Sequence, residues 1–192
     1  MDAFLIATGV VALAEIGDKT QLLSLVLAAR YRAPWAISAG IFVATLLNHA
    51  LAALIGDSVM DWLGPDWMRW IVGLSFVGMA LWSLIPDRLD EDEENKAERK
   101  LRRYGVFIMT TVIFFLLEMG DKTQVATAIL AARFNDFVPV VLGTTVGMLL
   151  ANVPVVFFGN MILKKISIEL VHRVTAVLFL ILGVVALADF AL

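Results

Sequence analysis

Two charged heptapeptides interrupt otherwise apolar runs of this chain: Glu15-Ile16-Gly17-Asp18-Lys19-Thr20-Gln21 and Glu118-Met119-Gly120-Asp121-Lys122-Thr123-Gln124. Each follows about twelve apolar residues, which as a helix at 1.5 Å per residue span roughly 18 Å. Composition decides the solvent around them. Of 192 residues, 60% are hydrophobic and 17% charged, whereas soluble domains average roughly half and a quarter. The chain therefore reads as an all-α integral membrane protein, and the motifs lie near mid-bilayer. A soluble domain and a disordered chain are excluded. A net charge of −3 leaves no basic footprint for nucleic acid. The absence of cysteine removes disulfides, thiolate zinc sites and thiol nucleophiles.

Apolar runs predict six spans: 3–29, broken at 15–21; 35–55; 67–85; 106–132, broken at 118–124; 137–158; and 171–187. Only helices or closed barrels satisfy the backbone in lipid, and period-two alternation is absent, so these are helices. The start lacks a basic leading segment and reads as the first span, not a cleavable signal. Eleven of the fifteen lysines and arginines fall on one side: Arg30, Arg32, six within 87–104, Lys164, Lys165 and Arg173. Arg69 and Arg133 fall on the other, together with Asp2, Asp57, Asp61, Asp66, Asp136 and Asp189. Basic residues stay cytoplasmic. The expected topology has both termini outside, the central loop in the cytoplasm and the chain in a bacterial-type inner (plasma) membrane. Trp35, Trp62, Trp67, Trp70 and Tyr104 sit near span ends as interfacial anchors.

Residues 15–31 and 118–134 are identical at ten of seventeen positions, at an offset of 103. The same offset maps Gly40 onto Gly143 and Gly56 onto Gly159. The chain is thus a duplicated three-helix unit, with repeats at 1–86 and 105–192 and a charged cytoplasmic linker at 87–104. Three crossings are odd, so the second unit must be inverted relative to the first. Inverted repeats with broken helices at the midplane are the architecture of secondary transporters.

Unpaired, six formal charges at mid-membrane would cost on the order of 15–20 kcal/mol, so they must face a protein interior or a wet cavity. Glu15 and Asp18, like Glu118 and Asp121, are spaced i,i+3, which on an unbroken helix shares one face. Inversion brings the two faces together. Four carboxylates with Lys19 and Lys122 sum to −2, complementary to one divalent cation or to protons. An i,i+4 pairing of each glutamate with its own lysine would be the structural alternative, but it leaves both aspartates unexplained. Thr20, Gln21, Thr123 and Gln124 add neutral oxygens that serve equally as interhelical glue. The small-residue stripes Gly40, Ala44, Asn48 and Gly143, Gly147, Ala151 read as close helix packing, which makes Asn48 and Asn152 accessory ligands. By the offset Asn152 aligns with His49, which reads as a polar neighbour and not a ligand. Such oxygen donors suit Mn2+, Ca2+ or Mg2+. Met119, at the position of Ile16, is a soft atom that would favour Mn2+, although methionine is more often packing.

Two copies of E-x-G-D-K-T-Q in a six-span chain resemble the family of small cation/proton exchangers. That family includes MneA-type manganese exporters of bacteria and the Golgi calcium/manganese transporters, within a lysine-exporter-like superfamily. The resemblance covers the whole chain. It implies export of Mn2+, or of Ca2+, from the cytoplasm in exchange for protons by alternating access, with no cofactor and no enzymatic activity. Carried over by motif match, Glu15, Asp18, Glu118 and Asp121 are the cation-binding acids. Lys19, Thr20, Gln21, Lys122, Thr123 and Gln124 are the rest of the motif. Other classes fit less well. A duplicated lipid-pyrophosphate phosphatase would need an arginine phosphate clamp and a nucleophile or base that the motifs lack. A channel would not need two alternating-access motifs. An amino-acid exporter has only Lys19 or Lys122 to hold the substrate carboxylate.

Overall fold

The computed structural model describes residues 3–85, 104–159 and 168–188. The expected linker, apart from Tyr104, lies outside the described residues, as do Asp2, Lys164, Lys165, Asp189 and the side chains of Asp61, Trp62 and Asp66. The described chain is helical throughout: α1 Ala3–Glu15, α2 Lys19–Tyr31, α3 Pro34–Ser83, α4 Val106–Glu118, α5 Lys122–Phe134, α6 Phe137–Phe158 and α7 Ile168–Leu187. Pro34–Val59, Phe137–Phe158 and Glu169–Leu187 are each long and apolar enough to cross a membrane, and Ala3–Glu15, Arg69–Ser83 and Val106–Glu118 are shorter apolar helices.

Both charged motifs break their helices. Glu15 and Glu118 end α1 and α4, and Lys19 and Lys122 begin α2 and α5. Gly17 and Gly120 supply the turn with φ of +82° and +78°, a region that costs a side-chain-bearing residue roughly 1–2 kcal/mol. α2 and α5 end alike, on Arg32 and Asn135 in the left-handed region, each N–H returning to a carbonyl four residues back.

The spans expected at 35–55 and 67–85 fall on two arms, Pro34–Val59 and Arg69–Ser83, within the single helical element α3. Between the arms the chain turns back. A side-chain bond ties Asn48 to Gln124, and the Ile85 carbonyl accepts from Lys122, two residues away from Gln124. A straight helix would hold Asn48 and Ile85 roughly 55 Å apart. Ile55 and Gly56 of the first arm and Ile71 and Val72 of the second line one cavity against Ala128 and Ala132 of α5. The reversal thus falls between Val59 and Ile71. That stretch contains Gly64-Pro65, and a Gly-Pro pair is a turn signal in a sequence.

Helices of the two halves interleave. α1 runs parallel to α6: Phe4 meets Gly143, and Thr8 meets Gly147. The first arm of α3 runs parallel to α4: Gly40 meets Phe107 and Thr110, and Asn48 Nδ2 donates to the Phe115 carbonyl at 3.2 Å. The second arm is antiparallel to α7, with Gly73 against Leu187 and Val77 against Gly183. The small-residue stripes do pack closely. A Cβ on Gly147 would come within 2.6 Å of the Thr8 carbonyl oxygen, and one on Gly40 within 2.8 Å of the Thr110 Cβ. Large apolar side chains such as Leu47, Leu54, Leu142, Leu150, Val177 and Ile181 face outward, as a lipid-contacting surface requires. Trp35, Trp67, Trp70 and Tyr104 are exposed among them.

A valine at Gly56 would strike the Ala128 backbone, which has no flexible end to yield. Gly56→Val should destabilise the fold by at least the ~1–3 kcal/mol of ordinary overpacking. A thermal-unfolding midpoint in detergent well below that of wild type is the expected result.

Candidate cation site

The two breaks meet in the interior. Glu15, Asp18, Glu118 and Asp121 each contribute a carboxylate oxygen to a cluster in which all such atoms lie within 4.8 Å of one another. All four are buried, the glutamates fully. Opposed ligands around one hard cation at 2.3–2.6 Å sit about 4.6–5.2 Å apart, so the cluster has the dimensions of a single ion's shell.

The way the motif builds this differs from the shared helix face expected from i,i+3 spacing. The helix ends before the aspartate, so the glutamate sits on a helix C-terminus and the aspartate takes the N-cap position of the next helix, where Asp18 Oδ2 accepts from the Thr20 N–H at 3.4 Å and Asp121 makes no side-chain cap bond. Asp18 and Asp121 have nearly the same extended backbone, φ/ψ −74°/166° and −80°/168°. Thr20 Oγ1 donates to Glu15 Oε2 at 2.8 Å, and Thr123 Oγ1 to Glu118 Oε2 at 2.9 Å. These bonds orient each glutamate and leave Oε1 of both without a hydrogen-bond partner; Asp121 Oδ2 is likewise unpartnered. Buried carboxylate oxygens of this kind are costly unless something positive occupies the space between them.

The glutamines brace the breaks. Gln21 Oε1 accepts from the Gly17 N–H at 2.8 Å and Gln124 Oε1 from the Gly120 N–H at 2.6 Å. Their amide nitrogens then reach repeat-equivalent positions in the other half. Gln21 Nε2 donates to the Ala151 carbonyl at 2.9 Å, and Gln124 Nε2 donates to Asn48 Oδ1. Asn152 Oδ1 accepts from Ser24 at 2.8 Å, and its Nδ2 donates to the Met148 carbonyl at 3.2 Å. Gln21, Gln124, Asn48 and Asn152 each tie one helix to another through a side-chain amide. His49 is fully buried, neither ring nitrogen has a hydrogen-bond partner, and it stands outside the acidic cluster. Met119 is exposed, on a cleft lined by Leu51, Leu54, Ile55 and Gln124.

The break places each lysine on a different helix from its own glutamate. Lys19 Nζ lies 2.8 Å from Asp121 Oδ1, in the other half. Lys122 Nζ donates to the Ile85 carbonyl at 3.1 Å. Two contributors are not apparent from the sequence motifs. Ser24 is the hydroxyl that holds Asn152, and its place one helical turn beyond Gln21 is the signal that points to it. The Ile85 carbonyl is a backbone group at the end of an apolar run and carries no signal.

The family profile described as "Divalent cation/proton antiporter GDT1" matches residues 3–91 and 106–191. The chain belongs to the GDT1 family. It is 51% identical over 184 residues to a Vibrio cholerae protein named "Putative manganese exporter", an alignment covering 95% of this chain and 89% of that one. It is 30% identical to GDT1-like protein 5 of Arabidopsis thaliana, covering 91% and 90%, and 27% identical to a GDT1-like protein of Synechocystis, covering 97% of each. No solved structure matches. Family membership makes this GDT1 protein an integral membrane transporter of divalent cations and not an enzyme, which removes the phosphatase reading.

Gly120 has open space where a Cβ would stand, so the cost of a side chain there is conformational alone. Gly120→Ala should lower stability by about 1–2 kcal/mol and loosen the second break. Comparison of denaturation midpoints with those of Gly9→Ala, a helical glycine with equally open surroundings, checks this: the Gly9 change should be neutral or stabilising.

Proposed function

We propose that this GDT1 protein exports Mn2+ from the cytoplasm in exchange for protons, with Glu15, Asp18, Glu118 and Asp121 forming one shared site. The observation that carries the reading is the convergence of four buried carboxylates from two sequence repeats within 4.8 Å, three of their oxygens lacking partners. Acidic oxygen donors of this number suit a hard or borderline divalent ion. The similarity to a protein named as a manganese exporter favours Mn2+ over Ca2+.

The cycle uses the same oxygens twice. Cytoplasmic Mn2+ enters between the halves and binds the four acids. The halves rock, the site opens to the outside, and protons take the metal's place on the carboxylates. Return of the protonated carrier releases protons inward, so the proton gradient drives export. Residues 1–86 and 105–192 act as inverted three-helix repeats joined by the charged segment 87–104. Parallel packing of α1 with α6 and of the first α3 arm with α4, and antiparallel packing of the second arm with α7, are the directions that six alternating crossings require. The lysine and arginine bias supports both termini outside and the central segment cytoplasmic, in the plasma membrane.

Flux into sealed proteoliposomes under an imposed pH gradient tests this. Mn2+ should move, Ca2+ less and Mg2+ least. A Glu15→Gln, Glu118→Gln protein should fall to background. Asp18→Asn should lose more than about tenfold, the lower end for changes even in the outer shell of metal sites. An Asp18→Asn protein transporting at full rate would sink the site, and Mn2+ flux indifferent to the pH gradient would sink the exchange.

A further inference from the structure

Four carboxylates packed within 4.8 Å need positive charge beside them when no metal is bound. Lys19 supplies it across the boundary between the halves. Its Nζ lies 2.8 Å from Asp121 Oδ1, while Asp121 is almost wholly buried. The Lys19 side chain is 19% exposed and so enters the site from a more open edge. Lys122, its repeat equivalent, is more deeply buried and donates to the Ile85 carbonyl. Asp121 therefore gives one oxygen to an ammonium on a flexible four-carbon stem and leaves the other, Oδ2, unpartnered and buried.

We propose that Lys19 is a tethered counter-cation that occupies Asp121 in the empty carrier and is displaced when the transported divalent cation binds. The inference rests on the cation-site reading above and deepens it. A divalent ion on Asp121 and an ammonium hydrogen-bonded to the same carboxylate would repel each other strongly in a site shielded from water. Both cannot be held at once. Lys19 thus competes with the substrate for one ligand. It also neutralises Asp121 after the cation leaves, so the halves can move with less bare charge exposed to hydrocarbon. Because the ion pair joins α2 to the second break, its making and breaking is coupled to the contact between halves. Lys19 is a positioning residue and touches the substrate's ligand, not the substrate.

The competition has a direction that a mere structural brace does not share. Removing a brace leaves Asp121 exposed to misplacement and weakens binding, whereas removing a competitor tightens it. Mn2+ binding to the purified full-length protein, read at fixed pH from loss of the free-ion electron paramagnetic resonance signal, separates the two. Lys19→Gln should bind Mn2+ at least about fivefold more tightly than wild type, since the fraction of protein competent to bind rises. Lys19→Arg, which keeps the charge, should stay near wild type. Equal or weaker binding by Lys19→Gln overturns the proposal. Should that variant not fold, wild-type protein is treated with an amine-reactive reagent with and without saturating Mn2+. Mass-spectrometric labelling at Lys19 should rise with the metal, and labelling that is unchanged or falls overturns the proposal. A wild-type protein that binds no divalent cation would overturn the site assignment itself, and this inference with it.

Discussion

A carboxylate held in hydrocarbon must be surrounded by donors and counter-charge, and four of them together multiply the requirement. The interior of this protein is organised around that need. Each motif ends one helix and starts another, so Asp18 and Asp121 lie at helix N-termini where N–H groups and the positive end of the dipole converge. Threonines at the first turn of α2 and α5 reach back to the glutamates. A lysine from one half faces an aspartate of the other. A continuous helix could not have provided this, because its backbone donors would already be engaged along its own axis.

Breaking a helix inside a membrane protein exposes backbone groups that lipid cannot satisfy, so the breaks in turn need support. The motif glutamines provide it twice over, accepting from the glycine N–H of their own break and binding α6 or α3 of the other half. They can reach because the helices approach closely. Gly40 and Gly147 allow α4 and α1 to sit against α3 and α6 nearly backbone to backbone. The small-residue stripes and the acidic cluster are thus parts of one arrangement, in which close packing delivers the braces and the braces hold the acids.

Symmetry in the sequence does not become symmetry of contacts. Gln21 and Gln124 reach positions related by the 103-residue offset, but one meets the Ala151 carbonyl and the other the Asn48 side chain. Asn152 is bonded to Ser24, while its aligned residue His49 has no hydrogen-bond partner. The two lysines bind an aspartate and a carbonyl respectively. Near-identical motifs set in different second helices and different span ends therefore perform different tasks within one conformation.

Much of this was legible in the chain alone. Charged residues deep in apolar runs have few tolerable environments, so Glu15, Asp18, Glu118 and Asp121 could be named as a buried site from position and duplication. The extent of α6, Phe137–Phe158, was readable from hydropathy, and the breaks at Gly17 and Gly120 from helix-weakening glycines inside charged motifs. Local sequence did not decide which lysine meets which acid, or that the carboxylates flank a break and do not share a helix face. Those outcomes depend on how two halves of the chain pack against each other. Periodicity reports which residues avoid lipid, because burial acts on each residue separately. Pairing across some 102 residues is set by the geometry of the assembled helices, and only the tertiary structure contains that.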